Sequence, residues 1–246
     1  MNDDELARLA PGSPDWANRL EQLNQSTVTP RRGELFRLAD AVRGVLHRLV
    51  QTSAPIELIS AAADQLSEVV ATLEQHPYGS IYEGFAESAN AGEPFGFFDH
   101  SPMLGRANPL APPIELELLD DCIIGRATFS AAYEGPPGCV HGGFVAAAFD
   151  EVLGSAQSLS GAPGMTGRLV VHYRSPTPLH TELRFEGRLE SVSGRKILTR
   201  GELYAGYRLC AEAEALFISI DGARFAQMME QRAAQQAEAA APPEEP

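Results

Sequence analysis

The chain has 246 residues, 44% apolar and 21% charged, with 22 glycines and 18 prolines. It is too apolar for a disordered chain and long enough to bury the core of one or two domains. Its net charge of -14, part of it from Glu238, Glu244 and Glu245, disfavours non-specific binding to nucleic acid or to an anionic membrane.

Cys122, Cys139 and Cys210 form no CxxC pair, which argues against a disulfide framework and a zinc ribbon. The acidic start MNDDELARLAPGSPDW lacks the basic-then-apolar order of a signal peptide. No segment approaches about 20 uninterrupted apolar residues. No membrane span is expected, and the cytoplasm is the expected compartment.

Residues 1–30 read as an irregular N-terminus broken by Pro11, Pro14 and Pro30. A helical extension is expected over 31–76. Its first helix would use Leu35, Leu38, Val42, Val45 and Leu49 as one face. Its second, from Ile56 to Leu73, would use Ile59, Ala63, Leu66, Val70 and Leu73, and Pro77 would end it. The two are expected to form an antiparallel hairpin. Residues 77–113 are expected to be an ordered connector, because Phe85, Phe95, Phe97 and Phe98 favour burial. Asp99 and His100 within it read as loop charges more than as catalysts.

The pattern turns to strands at Ile114 and defines an expected domain over 114–222. Two strand-like runs precede the turn-rich EGPPGCVHGG, and a helix follows over 143–158. The first half of that helix is so apolar that burial nearly all round is expected. Strands are expected near 166–174, 181–192, 196–205 and 208–220. Their short turn-like links favour hairpins over crossovers. The order β-β-α-β-β-β-β suggests an α+β fold, a curved sheet wrapped on a helix. Residues 223–246 read as a fraying tail.

EGPPGCVHGGFVAAAFDE carries the chemistry. Gly142 and Gly143 stand where a helix begins, and first-turn N–H groups have no intrahelical acceptor. Together with the helix dipole they can hold developing negative charge. Asp150 lies among apolar residues, where a carboxylate is costly unless partnered or used. Thr166, Arg168, Val170, His172 and Arg174 share parity, so an unbroken strand would present them on one face. Leu169, Val171 and Tyr173 would then face the core.

GPPGCVHGG, Asp150 nine residues beyond His141, MTGRLVVHYRSPTPL and SGRKI together resemble the PaaI-like acyl-CoA thioesterases of the hot-dog superfamily. The nearest likeness is to the branch that includes the carboxyl-terminal modulator protein type. The resemblance covers about 110–220. It implies a hot-dog fold behind an added helical region, and hydrolysis of an acyl-CoA thioester to free acid and coenzyme A. It implies Asp150 as general base or nucleophile, Gly142 N–H as oxyanion donor, and His141 and Gly143 at the substrate. Thr166 would contact the attacking water or the substrate. His172, Arg174, Arg195 and Lys196 would bind the coenzyme A portion. No cofactor beyond the substrate's own coenzyme A is implied. Some relatives carry an Asn six residues before the HGG histidine; here that residue is Gly135.

About 12 Å of helix separates Gly142 from Asp150 at 1.5 Å per residue. This suggests that each site pairs Gly142 of one subunit with Asp150 of another, in a homodimer or tetramer. A Cys139–His141 nucleophile pair lacks a third orienting group, and His141, His172 and His180 lack metal-ligand spacing. The alternative to an enzyme is a hot-dog protein that only binds acyl-CoA, as sensor or scaffold.

Overall fold

The computed structural model describes residues 28–76, 99–162 and 164–219. The expectations for the first 27 residues, for Phe85, Phe95, Phe97 and Phe98, and for the C-terminal tail lie outside the described residues.

Two helices come first, α1 (Pro30–Leu49) and α2 (Ile56–Glu74). Pro30 does not break α1 but opens it, at the first-turn position where a missing N–H costs nothing. The Thr29 hydroxyl caps α1 by accepting from Arg32 N at 3.3 Å. The buried face of α1 differs from the one expected. Leu38 and Leu49 are exposed, whereas Phe36, Ala39 and Arg43 are buried. The Arg43 guanidinium dictates this orientation. It donates to the carbonyls of Ala111 at 3.0 Å, Asn108 at 2.9 Å and Arg106 at 3.2 Å, tying the helix to the loop before the sheet. The Phe36 ring meets the guanidiniums of Arg32 and Arg106. Every residue of α2 is exposed, so α1 and α2 do not close into a packed hairpin.

The remaining elements are β1 (Glu115–Leu119), β2 (Cys122–Thr128), α3 (Gly142–Ser158), β3 (Gly164–Tyr173), β4 (Glu182–Ser193), β5 (Lys196–Ala205) and β6 (Arg208–Ser219). The strands form one antiparallel sheet in the order β1-β2-β4-β5-β6-β3. Helix α3 carries the chain from β2 across one face of the sheet to β3 at the far edge, touching β2 through β6 on the way. The expected curved sheet around a helix is therefore present.

The helix can lie this close because of a trough of small residues. Gly187, Gly201 and Ala213 stand side by side on neighbouring strands, all buried. A Cβ on Gly187 would come within 2.9 Å of a Val152 methyl. One on Gly201 would reach the Glu186 carbonyl oxygen at 2.7 Å and Leu153 at 3.0 Å. Phe149, Val152 and Leu153 fill the trough from above, and Phe149 meets Phe185 edge-on at 5.3 Å.

The core also refines one expectation. Helix α3 is not buried all round: Gly143 and Asp150 are exposed, and Ala147 and Gly154 are half-buried. These residues recur at helical spacing, so one stripe of α3 is left open. Gly201→Ala is expected to destabilise the fold by about 1–3 kcal/mol through overpacking, read as a lowered midpoint in urea with an unchanged slope.

Candidate active site

The loop into α3 is held before any side-chain chemistry begins. Gly135 N donates to the Cys139 carbonyl at 2.9 Å, Cys139 N to Pro136 at 2.8 Å, and His141 N to Tyr133 at 2.9 Å. Gly138 takes the left-handed conformation, φ 72°, and donates to a Glu134 carboxylate oxygen at 2.7 Å. Gly135 lies against the histidine itself, since a Cβ there would sit 2.7 Å from His141 Cα. A side chain such as asparagine has no room at that position in this loop. Tyr133 anchors the base of the turn. Its hydroxyl donates to the Leu110 carbonyl at 2.9 Å, and burial pushes its pKa up to about 12, so it remains a donor.

His141 caps the helix. Its Nδ1 accepts from Gly143 N at 3.0 Å, which places the ring proton on the exposed Nε2. Gly142 N–H meets no acceptor among the described residues. The Gly142 carbonyl accepts from the Tyr173 hydroxyl at 2.7 Å. The Gly142–Gly143 peptide is thus fixed at both ends, by Tyr173 on its oxygen and His141 on its nitrogen. That orientation leaves the preceding N–H free at the positive end of the helix dipole. The role of Tyr173 was not read from the sequence. Its inward parity with Leu169 and Val171 was visible, and a phenol turned inward at a strand end needs a partner for its hydroxyl.

Two turns along, Asp150 is exposed on the open stripe, where no burial cost needs to be met. Thr166 donates from Oγ1 to Asp150 Oδ1 at 2.8 Å. This contact exists because β3 is not an unbroken strand. Its register with β6 shifts between Thr166 and Arg168, so Gly167 is an extra, bulged residue. Thr166 pairs with the buried Phe217, whereas Arg168, Val170 and His172 pair with Leu216, Glu214 and Glu212. The single-face row expected from parity is therefore split. Thr166 joins Leu169, Val171 and Tyr173 on the helix side, and Arg168, Val170 and His172 face outward.

His172 and Arg174 lie across the sheet from Gly142 and Asp150. They border a cleft of about 400 Å³ with Arg188, Arg200 and Glu202. The cations there are already paired: Arg174 with Glu212, Arg188 with Asp121 at 3.2 Å, and Arg200 with Glu190 at 2.7 Å. Arg195 lies in the β4–β5 turn, whose Gly194 has φ 58°, and Lys196 opens β5 beside it. Arg195 Nε donates to the Ser219 carbonyl at 3.1 Å. Ile197 and Thr166 both pair with Phe217, so this turn stands at the Asp150 end of the sheet. Cys139 Sγ points at the Pro137 carbonyl at 3.6 Å, and no metal-binding cluster occurs among the described residues.

The Thioesterase superfamily model matches residues 137–211, the span from the helix-entry loop to β6. A crystal structure of a thioesterase superfamily protein is 37% identical and aligns with a TM-score of 0.67, covering 75% of this chain and 94% of that one. The chain belongs to the thioesterase superfamily. Its curved sheet and central helix are the hot-dog fold of that superfamily. The acyl-coenzyme A thioesterase THEM4 of Xenopus laevis is 35% identical over 89 residues, 35% of this chain and 40% of that protein. The Mus musculus protein of the same name is 33% identical over 90 residues, 36% of this chain and 39% of that protein. This superfamily member thus matches about two-fifths of the length of those curated relatives. None of its described helices is long and apolar enough to cross a membrane.

Glu151, beside the candidate base, is half-buried and accepts from Ser101 Oγ at 3.1 Å. Burial pushes its pKa up, the Ser101 bond opposes this, and the Asp150 charge adds to the rise. A folded pKa above the unfolded value means that ionising Glu151 costs stability. The cost is absent below the unfolded pKa and grows as pH rises through the folded one. Glu151→Gln is therefore expected to melt higher than the parent at neutral pH. The gap should close on acidification, as followed by thermal melts across a pH series.

Proposed function

We propose that the chain hydrolyses acyl-coenzyme A thioesters to free acid and coenzyme A. The observation that carries this reading is the open side of α3. It presents an unpaired, positively polarised N–H at Gly142 and, two turns away, a carboxylate oriented by Thr166. The names of the curated relatives support the choice of thioester.

In this reading Gly142 N–H receives the thioester carbonyl oxygen and stabilises the charge that develops there. Thr166 holds one oxygen of Asp150, leaving the other for chemistry. Acting as general base, Asp150 takes a proton from water as the water oxygen bonds to the carbonyl carbon. Collapse of the tetrahedral intermediate breaks the C–S bond, and the proton passes to the departing thiolate. Acting as nucleophile, the same oxygen would attack the carbon and displace coenzyme A as its thiolate, and water would then cleave the mixed anhydride. His141 orients the substrate through Nε2–H.

The two groups stand about 12 Å apart along the helix, too far to serve one carbonyl. We therefore assign each site to two chains. The far edge strand, β3, has no neighbour on one side among the described residues and exposes Met165, Val170 and Tyr173. Such an edge is a template for a second copy. A two-fold axis there would bring Asp150 of one chain toward Gly142 of the other. The coenzyme phosphates would meet Arg195 and Lys196; His172 and Arg174, across the sheet and with Arg174 paired to Glu212, take no part in this reading.

Release of free thiol from short, medium, long and aromatic acyl-CoAs tests the activity. Asp150→Asn should lower kcat by about two orders of magnitude or more, and Tyr173→Phe by a smaller factor with KM little changed. No thiol release from any of these esters, with acyl-CoA binding intact, would leave a binding protein instead. Gly142→Pro removes the donor at a first-turn position that accepts proline's backbone, with its Cβ pressing on Tyr173 at 3.1–3.4 Å. An equal mixture of Asp150→Asn and Gly142→Pro chains should recover about a quarter of the parent rate, since half the dimers are mixed and each holds one intact site. No recovery after confirmed chain exchange rejects the shared site.

A further inference from the structure

Helix α2 carries a pattern that the site does not use. Ile56, Ile59, Ala63, Leu66, Val70 and Leu73 recur at alternating steps of three and four residues. This is a strict seven-residue repeat, with Ile56, Ala63 and Val70 at a and Ile59, Leu66 and Leu73 at d. All six are exposed, Ile56 at 74% and Val70 at 53%. A repeat of 3.5 residues forms a seam that suits another helix better than the surface of a sheet.

The charges agree with a partner of the same kind. Glu57 and Asp64 fall at b and Glu68 at f, away from the seam. The flanking e and g positions hold Ser60, Ala62, Ser67 and Val69, with Glu74 the one charge among them, at the C-terminal end of the seam. The helix has no lysine or arginine, which removes the attraction an anionic membrane surface would need.

We propose that α2 pairs with α2 of a second copy, antiparallel, about a two-fold axis between Asp64 and Gln65. Ile56 then meets Leu73, Ile59 meets Val70, and Ala63 meets Leu66. The central layer sets a small residue against a large one, whereas a parallel pair would stack Ala63 on Ala63 and leave a gap. The helix ends are complementary as well. The N-terminus of α2 has no side-chain cap, and its last turn ends in Glu74 with no basic residue. Antiparallel pairing sets Glu74 beside the uncapped, positively polarised N-terminus of the other helix. The seam is about 28 Å long, too short to hold two chains strongly by itself. It adds to whatever other contact joins them, and it stands apart from the catalytic reading.

Disulfide trapping tests the pairing in the full chain, with Cys139→Ser to remove the partly exposed thiol. Ile59→Cys and Val70→Cys chains are oxidised separately and as a mixture. The mixture should yield a cross-linked dimer, and neither variant alone should. In the antiparallel register like positions lie about 16 Å apart, beyond the reach of a disulfide. A dimer from Ile59→Cys alone, which means parallel pairing, or no dimer in any sample, overturns the proposal. Leu66→Glu should weaken self-association at least tenfold in sedimentation velocity while circular dichroism keeps the sheet signal. Association unchanged in that variant also overturns it. Thiol release by the same samples reports separately on the catalytic reading.

Discussion

The close seating of α3 in the sheet governs the rest of the molecule. Gly187 and Gly201 have no side chains to hold the helix off, so Phe149, Val152 and Leu153 reach the floor of the trough. That contact fixes both the height and the rotation of the helix. The buried stripe is then Val145, Ala148, Phe149, Val152 and Ala156, and the opposite stripe must be open. Asp150 follows directly after the deeply buried Phe149 and is carried to the open side by the helical turn between them.

Local devices at the entry of the helix and midway along it convert that rotation into the candidate site. At the entry, Gly135 makes room for His141, and His141 and Tyr173 hold one peptide by its two polar atoms. Midway along it, one extra residue in β3 turns Thr166 inward to Asp150. A single bulge changes which side chains share a face, because side chains alternate along a strand. The same bulge leaves His172 on the outer face, among arginines already paired with carboxylates.

The proposed site is divided along the helix because a helix rises slowly. Eight residues advance it by about 12 Å, so a donor at its start and a base in its middle cannot converge within one chain. The open stripe and the edge of β3 that is unpaired among the described residues lie on the same side of the domain, where the proposed second chain would complete both.

Much of this was legible in the sequence. The strand lengths, the hairpin links and the central helix all follow from local spacing, and the resemblance to a known family implied that the HGG turn works with a later acid. The apolar face of α2 was likewise written in Ile59, Leu66 and Val70. Other features depended on contacts between distant segments. The buried face of α1 was misread because Arg43, a charged residue, earns burial only by meeting the carbonyls of Ala111 and Asn108. The face of Thr166 was misread because parity counting assumes an unbroken ladder, and the register shift exists only in the pairing of β3 with β6. Periodicity along the chain sets which residues can share a face; the packing of distant partners decides which face is turned inward.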